Sequence, residues 1–405
     1  MKRYLLSIVL GVCTLGILCT YYTYGAADHL PEYKLTTVQG DPKEGADLEL
    51  SGNYDGRMHT ESLVVNGNGS KYRSRETLRD QILGARSWVY NNKEMEQWVR
   101  DHRQFMRGKD QTEGFYKDDE WLVYVKVKSP LGRVNQKEVE LSVERLNLKT
   151  DEVQQYTTQI PVKSDSSNFT NVVDVQRIKD QLHVLASQDT DKSIQYFDYM
   201  LNFESGAFIQ GEQITHWNNT NKDIEFDYDI LYNAGDPSGY AVFKVQENKV
   251  KSRGENSYSF EPSGVHLYVY SYQSGKLSAL PDPKQILIHG TVYGHTGEVL
   301  NYVNVDKNAV HLSRYNLSTG QEERDYATIK ATELDAAEIL TANLFEDRVY
   351  VLMKKGVTPL IAALDVSNGK VLYVGETALE GSALDREKEM KLLNLYNINI
   401  TKTTS

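Results

Sequence analysis

Four carboxylates stand at every second position of Asp223-Ile224-Glu225-Phe226-Asp227-Tyr228-Asp229-Ile230. On a strand this alternation puts Asp223, Glu225, Asp227 and Asp229 on one face and Ile224, Phe226, Tyr228 and Ile230 on the other. Same-face neighbours are then roughly 7 Å apart. Ca2+ takes about six to eight oxygen ligands, carboxylates among them, so the row could bind a cation. Asp236, in the loop Gly235-Asp236-Pro237-Ser238-Gly239, would add a ligand. No EF-hand spacing accompanies them. The same row also suits an edge strand, whose charges block sheet-to-sheet association. Calcium is the one cofactor these residues suggest.

Other chemistry is sparse. His289 and His295 flank Gly290-Thr291-Val292-Tyr293-Gly294. On one strand they would share a face but lie about 20 Å apart, too far for a common metal; a turn at Gly294 would let them approach. No Gly-rich phosphate loop, His-Glu-x-x-His or Gly-x-Ser-x-Gly element is present. A carboxylate pair for glycoside hydrolysis is assembled from distant positions, and 56 acidic residues give no basis for choosing one. Tyrosine is abundant at 27 residues, clustered at Tyr268, Tyr270 and Tyr272 and at Tyr228, Tyr232 and Tyr240. These fit strand positions with a packed ring and a wet hydroxyl, or a face that binds sugars or peptides.

The elements that position these residues follow from a pattern that recurs five times. It reads Leu146-Asn147-Leu148-Lys149-Thr150-Asp151, Leu201-Asn202-Phe203-Glu204-Ser205-Gly206, Tyr270-Ser271-Tyr272-Gln273-Ser274-Gly275, Tyr315-Asn316-Leu317-Ser318-Thr319-Gly320 and Leu364-Asp365-Val366-Ser367-Asn368-Gly369. Apolar residues at the first and third positions mark a strand face, and the last two are hairpin-turn chemistry. The turns are 55, 69, 45 and 49 residues apart, close to the length of one propeller blade, about 40–50 residues. Strand-like runs precede each turn: Trp121–Val125, Leu182–Leu185, Tyr240–Phe243, Val299–Val303 and Val349–Leu352. Leu48–Leu50 and Ser62–Val65 at the front, with Lys391–Leu395 at the back, are candidates to complete one further blade between the chain ends.

Residues 74–107 interrupt the strands. Ser74 reads as a helix cap, Leu78, Ile82 and Ala85 recur at helical spacing, and Met95, Trp98, Val99, His102 and Phe105 form a second stripe ending near Gly108. This helical insertion either buries Trp88 and Trp98 against a blade or offers them as a docking surface. Residues 28–45 are polar, hold Pro31 and Pro42, and read as a stalk.

The first 27 residues stand apart. Lys2 and Arg3 precede an uncharged, largely apolar run from Tyr4 to Ala27. About 20 apolar residues span a bilayer, and the basic pair holds the amino terminus inside. The expectation is a single-pass anchor with the remainder outside the cell; a signal peptide cleaved near Gly25-Ala26-Ala27 is the rival. Both cysteines, Cys13 and Cys19, lie in this run, so the exported part has neither disulfide nor thiol chemistry. That part carries 43 Lys+Arg against 56 Asp+Glu. Such a charge disfavours nucleic acid and leaves an envelope protein or polysaccharide as partner.

Ala363-Leu364-Asp365-Val366-Ser367-Asn368-Gly369-Lys370-Val371-Leu372-Tyr373 resembles the blade turns of quinoprotein-like and WD40-like β-propellers. The resemblance covers residues 113–378. Quinoprotein repeats follow the glycine turn with a tryptophan; here Tyr373 takes that place once. The whole chain looks like the membrane-anchored propeller-like proteins of Gram-positive bacteria. Five units plus a blade closed by the chain ends predict an all-β propeller of six to seven blades over 46–400, and the apolar run a transmembrane helix over 1–27. The anchor, the repeats and the missing catalytic motifs point to an interaction module outside the cell; an extracytoplasmic glycan hydrolase or lyase with central carboxylates is the alternative.

Overall fold

The computed structural model describes residues 5–24, 30–56, 60–77, 93–128, 138–161, 169–189, 194–214, 224–231, 235, 237–253, 258–280, 292–381 and 386–400. Among them the strands form six antiparallel sheets, all but one of four strands. The first joins Leu393–Ile400, Leu48–Asp55, Thr60–Asn66 and Gly69–Tyr72, and the second runs Phe115–Lys117, Trp121–Lys128, Glu138–Asn147 and Val153–Pro161. Phe169–Ile178, Gln181–Asp189, Ile194–Asn202 and Phe208–Gln213 make the third, and Ile224–Leu231, Tyr240–Arg253, Tyr258–Ser271 and Lys276–Ala279 the fourth. The fifth holds Val292–Thr296, Val299–Val305, Ala309–Asn316 and Glu322–Lys330. In the sixth, Glu338–Phe345, Arg348–Lys355, Thr358–Asp365 and Val371–Leu379 are joined by Tyr33–Gly40 as a fifth strand.

The recurring hexapeptide is the hairpin turn between the third and fourth strands of sheets two to six. Its last residue is left-handed each time: Asp151 (φ 57°), Gly206 (69°), Gly275 (65°), Gly320 (71°) and Gly369 (73°). That residue's N–H donates to the carbonyl of the second position, as from Gly206 to Asn202 at 2.9 Å and from Gly369 to Asp365 at 2.8 Å. The side chain at the second position accepts N–H groups that the turn leaves unpaired, such as Ser205 N–H on Asn202 Oδ1 at 2.8 Å. The third position's N–H reaches the turn before the second strand: Leu148 to Glu120, Phe203 to Asp180, Tyr272 to Gly239, Leu317 to Glu298 and Val366 to Asp347. Each side chain is therefore dictated by a backbone need, which is why the pattern is legible. A Cβ at Gly320 would touch only the Tyr315 hydroxyl, at 3.4 Å. Gly320→Ala is therefore expected to lose about 1–2 kcal/mol through the left-handed φ, read as a shift in the urea midpoint at constant slope.

The chain divides into two compact units, residues 1–86, 305–311 and 327–405, and residues 87–304 and 312–326. In the first unit both chain ends are stitched into sheets. Leu393–Ile400 pairs with Leu48–Asp55, from Leu48↔Ile400 to Tyr54↔Leu393. Tyr33–Gly40 pairs with Val371–Leu379. The core here joins Tyr33, Leu50, Tyr72, Leu352, Ile361 and Leu395, and the Tyr54 hydroxyl donates to Glu389 Oε2 at 2.6 Å. Two expectations change. The supposed stalk is fold from Tyr33 onward: Tyr33 and Leu35 alternate inward, and Pro42–Gly45 is a 3-10 turn. Lys391 ends the short helix Arg386–Lys391, held by a Glu387–Lys391 pair, so the closing strand begins at Leu393.

Leu5–Tyr24 is helical. Among the described residues no helix is long and apolar enough to cross a membrane.

The insertion is divided between the units, residues 74–86 in the first and 87–107 in the second. Ser74 does not cap a helix: Arg73–Arg75 is a 3-10 turn and Glu76 is extended. Residues 78–92, including Leu78, Ile82, Ala85 and Trp88, lie outside the described residues. The second stripe is helical over Lys93–Asp101 and Arg103–Met106, interrupted at His102. It buries Met95, Trp98, Phe105 and Met106 against Phe115, Leu122 and Tyr124. Further clusters fill the spaces between sheets two, three and four.

Candidate functional site

The third and fourth sheets break their own repeat. At the third turn position, Leu148, Phe203, Leu317 and Val366 are apolar, whereas the fourth sheet has Tyr272. Four residues before the turn's second position stand Val143, Leu267, Leu312 and Ile361 in the other sheets; the third sheet has Asp198. His183 takes the place held by Val123 and Val242 in the neighbouring sheets. Asp198 is 0% exposed and His183 2%.

These departures pair with one another. His183 Nδ1 lies 2.8 Å from Asp198 Oδ2, and the Tyr270 hydroxyl donates to the same oxygen at 2.8 Å. Asp198 Oδ1, fully buried, has no hydrogen-bond partner among the described residues. On the adjoining strand Asp174 and Gln176 lie two apart and both point inward. A register shift opposite Leu185 and Ala186 lies beside Asp174, the kind of bulge that re-aims a side chain. The Tyr272 hydroxyl donates to Asp174 Oδ2 at 2.5 Å, Gln176 Nε2 to Oδ1 at 3.2 Å, and Val175 N–H to Oδ1 at 2.9 Å. The His183 and Tyr272 rings meet edge to face at 5.4 Å.

Asp174 also walls a small cavity with Gln176, Ser238 and His295. Its volume of about 10 Å3 admits one water-sized occupant. Ser238 N–H donates to Gln176 Oε1 at 2.8 Å, and Ser238 Oγ donates to the Tyr240 carbonyl at 2.8 Å. His295 Nε2 stands 3.4 Å from Ser238 Oγ.

Burial sets the electrostatics. It pushes the Asp174 carboxyl up to about 6, against the hydrogen bonds from Tyr272, Gln176 and Val175, with the Asp198 charge adding to the rise. Burial pulls His295 down to about 4, opposed by a backbone hydrogen bond at Gly297. Tyr272 and Tyr270 are pushed well above the ordinary tyrosine range, first by burial and then by the carboxylates they touch. At neutral pH the cavity wall thus holds a neutral imidazole in His295 and a carboxylate in Asp174, and Tyr270 and Tyr272 remain phenols.

The residues expected from sequence lie elsewhere. Asp223 and Asp236 fall outside the described residues. Glu225, Asp227 and Asp229 do alternate outward on Ile224–Leu231, which ends its sheet. In register they face Asn248, Gln246 and Lys244, so Asp229 has a cation opposite it. Among the described residues no group of three His, Cys, Asp or Glu could hold a metal. Trp98 is 4% exposed, tilted on Phe115 at 5.6 Å, and close enough to Gly235 to exclude a Cβ there; it is core, not a docking surface. His289 lies outside the described residues, while His295 is at the cavity. Tyr270 and Tyr272 are buried with their hydroxyls on carboxylates, not wet.

No family model and no curated protein matches the chain. Solved structures with a similar fold include an uncharacterized protein from Listeria monocytogenes EGD-e, 11% identical, spanning 66% of this chain and 67% of that one, TM-score 0.33. The β-propeller domain of the Trilobed protease from Pyrococcus furiosus is 10% identical over 84% of each chain, TM-score 0.31. Synechocystis apocarotenoid oxygenase is 8% identical over 64% of this chain and 61% of that one, TM-score 0.31. The neighbours thus include β-propeller domains, and the chain is all-β. At this level of similarity the neighbours carry no argument about activity.

Proposed function

We propose that the chain is a membrane-tethered β-propeller of six blades whose domain lies outside the cell and acts as a binding module for an envelope protein or polysaccharide, not as an enzyme. The observation that carries this reading is the set of six antiparallel sheets with both chain ends paired into sheets, a repeat scaffold that presents its loops and faces for binding. Closure is supported by the two chain-end strand pairings. The tether rests on the sequence alone, on Lys2 and Arg3 ahead of the uncharged run from Tyr4 to Ala27.

The test uses the full chain in its native membrane. Protease added outside intact cells should degrade the domain, and detergent-solubilised protein should co-sediment with purified cell-wall material without releasing soluble fragments. Protection from external protease overturns the topology. The glycan hydrolase or lyase reading has one observation in its favour: a carboxyl raised to about 6 can hold a proton near neutral pH, as a general acid must. Release of glycan fragments that disappears in Asp174→Asn would establish that reading in place of the binding module.

A further inference from the structure

Asp174 is 6% exposed, and among the described residues everything that bonds its carboxylate is neutral: a phenol, a carboxamide and a backbone N–H. Among the described residues, the only charge that acts on it is that of Asp198, of the same sign. The imidazoles nearby do not offset it, since His183 is paired with Asp198 and burial keeps His295 neutral. A buried carboxylate without an opposing charge is costly unless it is neutralised or paired. Beside it is a space for one small occupant, lined also by Ser238 and by His295, whose Nε2 faces Ser238 Oγ.

We propose that this cavity binds one ammonium ion, which donates N–H to the Asp174 carboxylate, to Ser238 Oγ and to His295 Nε2. Size and ligand type select it. Na+, K+ and Ca2+ are oxygen-seeking, and Ca2+ takes about six to eight oxygens; a water-sized space with an imidazole nitrogen in its wall does not offer that set. Water fits the volume but leaves the charge in place. Ammonium has the volume of water, a positive charge and only donors, matching the carboxylate, hydroxyl and neutral imidazole of a lining that also holds the Gln176 carboxamide and the apolar side chains of Ile230, Leu231 and Ala241.

Thermal unfolding of the full chain in detergent, at pH 7.5 and fixed ionic strength, tests this with NH4Cl, NaCl, KCl and tetramethylammonium chloride. A ligand that binds only the folded state raises Tm with its concentration. Ammonium alone is expected to raise Tm, by about 2–4 °C once the site is well filled. Asp174→Asn should remove the increment, because a carboxamide supplies no charge. Should that variant fail to fold, Ser238→Ala, which deletes one acceptor, should reduce the increment while leaving the chain folded. Equal Tm in all four salts, or an ammonium increment that survives Asp174→Asn, overturns the proposal and leaves the cavity to water.

Discussion

Asp198→Ala is expected to destabilise the second unit by about 3–5 kcal/mol, the cost of breaking a buried pair and stranding its partner. The stranded groups are His183, 2% exposed, and the Tyr270 hydroxyl, both bonded to Asp198 Oδ2. A loss of that size is a large part of the about 5–15 kcal/mol that holds a typical domain. His183→Ala should cost as much, because it bares Asp198 and also removes the ring packed on Tyr272. The informative variant is the triple His183→Val, Asp198→Leu, Tyr270→Phe, which writes into the third sheet the residue types its neighbours hold at Val123 and Leu267 and removes the Tyr270 hydroxyl of the fourth sheet. Well-packed apolar replacement of a buried polar cluster is often neutral or stabilising. Urea unfolding should therefore place the triple variant within about 1 kcal/mol of the parent, far from either single change. A triple variant as unstable as Asp198→Ala would mean that the cluster stabilises the fold, not that it is kept for another purpose.

Why this cluster escaped the sequence reading is a matter of which forces act locally. The five turns were legible because the second and last residues of each answer a need within six positions. Asn147, Asn202, Ser271, Asn316 and Asp365 accept nearby N–H groups, and the last residue adopts positive φ. The stripe of Met95, Trp98 and Phe105 was legible for the same reason, since helical spacing is local. His183 and Asp198 are 15 residues apart in sequence, and Tyr270 is 72 from Asp198. Pairing of adjacent strands brings His183 to Asp198, and packing between sheets brings Tyr270 to Asp198. Alternation alone made the exposed row at Glu225, Asp227 and Asp229 the most conspicuous acidic feature, although such a row is what a solvated edge strand requires. One signal was present: aligned on their turns, four repeats have Val, Leu, Leu and Ile where the repeat of the third sheet has Asp198. A charge at an apolar position of an internal repeat is evidence of a buried site. The strand Tyr33–Gly40 was missed because its outer half is exposed and polar, and its partner is more than 330 residues away.

The cavity is expected to make the pH dependence of stability depend on which of its two titrating walls is present. Asp174 is raised from 3.8 to about 6 in the folded state, so the folded protein binds its proton first. Its ionisation penalises folding at neutral pH, and the penalty is relieved as pH falls through about 6 toward 4. His295 moves the other way, from 6.5 to about 4, so the unfolded chain binds that proton first. The stability it lends as a neutral ring is present above 6.5 and is lost as pH falls toward 4. Each shift corresponds to about 3 kcal/mol, in overlapping windows and with opposite sign, so in the parent protein the two largely cancel. Removing one exposes the other. Asp174→Asn should lose about 3 kcal/mol relative to the parent between pH 7 and pH 4, because only His295 then responds. His295→Gln should gain about 3 kcal/mol over the same interval, because only Asp174 does. Urea denaturation at half-unit pH steps measures both differences, and subtraction of the parent curve removes every other titrating group. Difference curves that are flat, or that slope the same way for both variants, would show that the cavity does not hold these two groups in opposed protonation states.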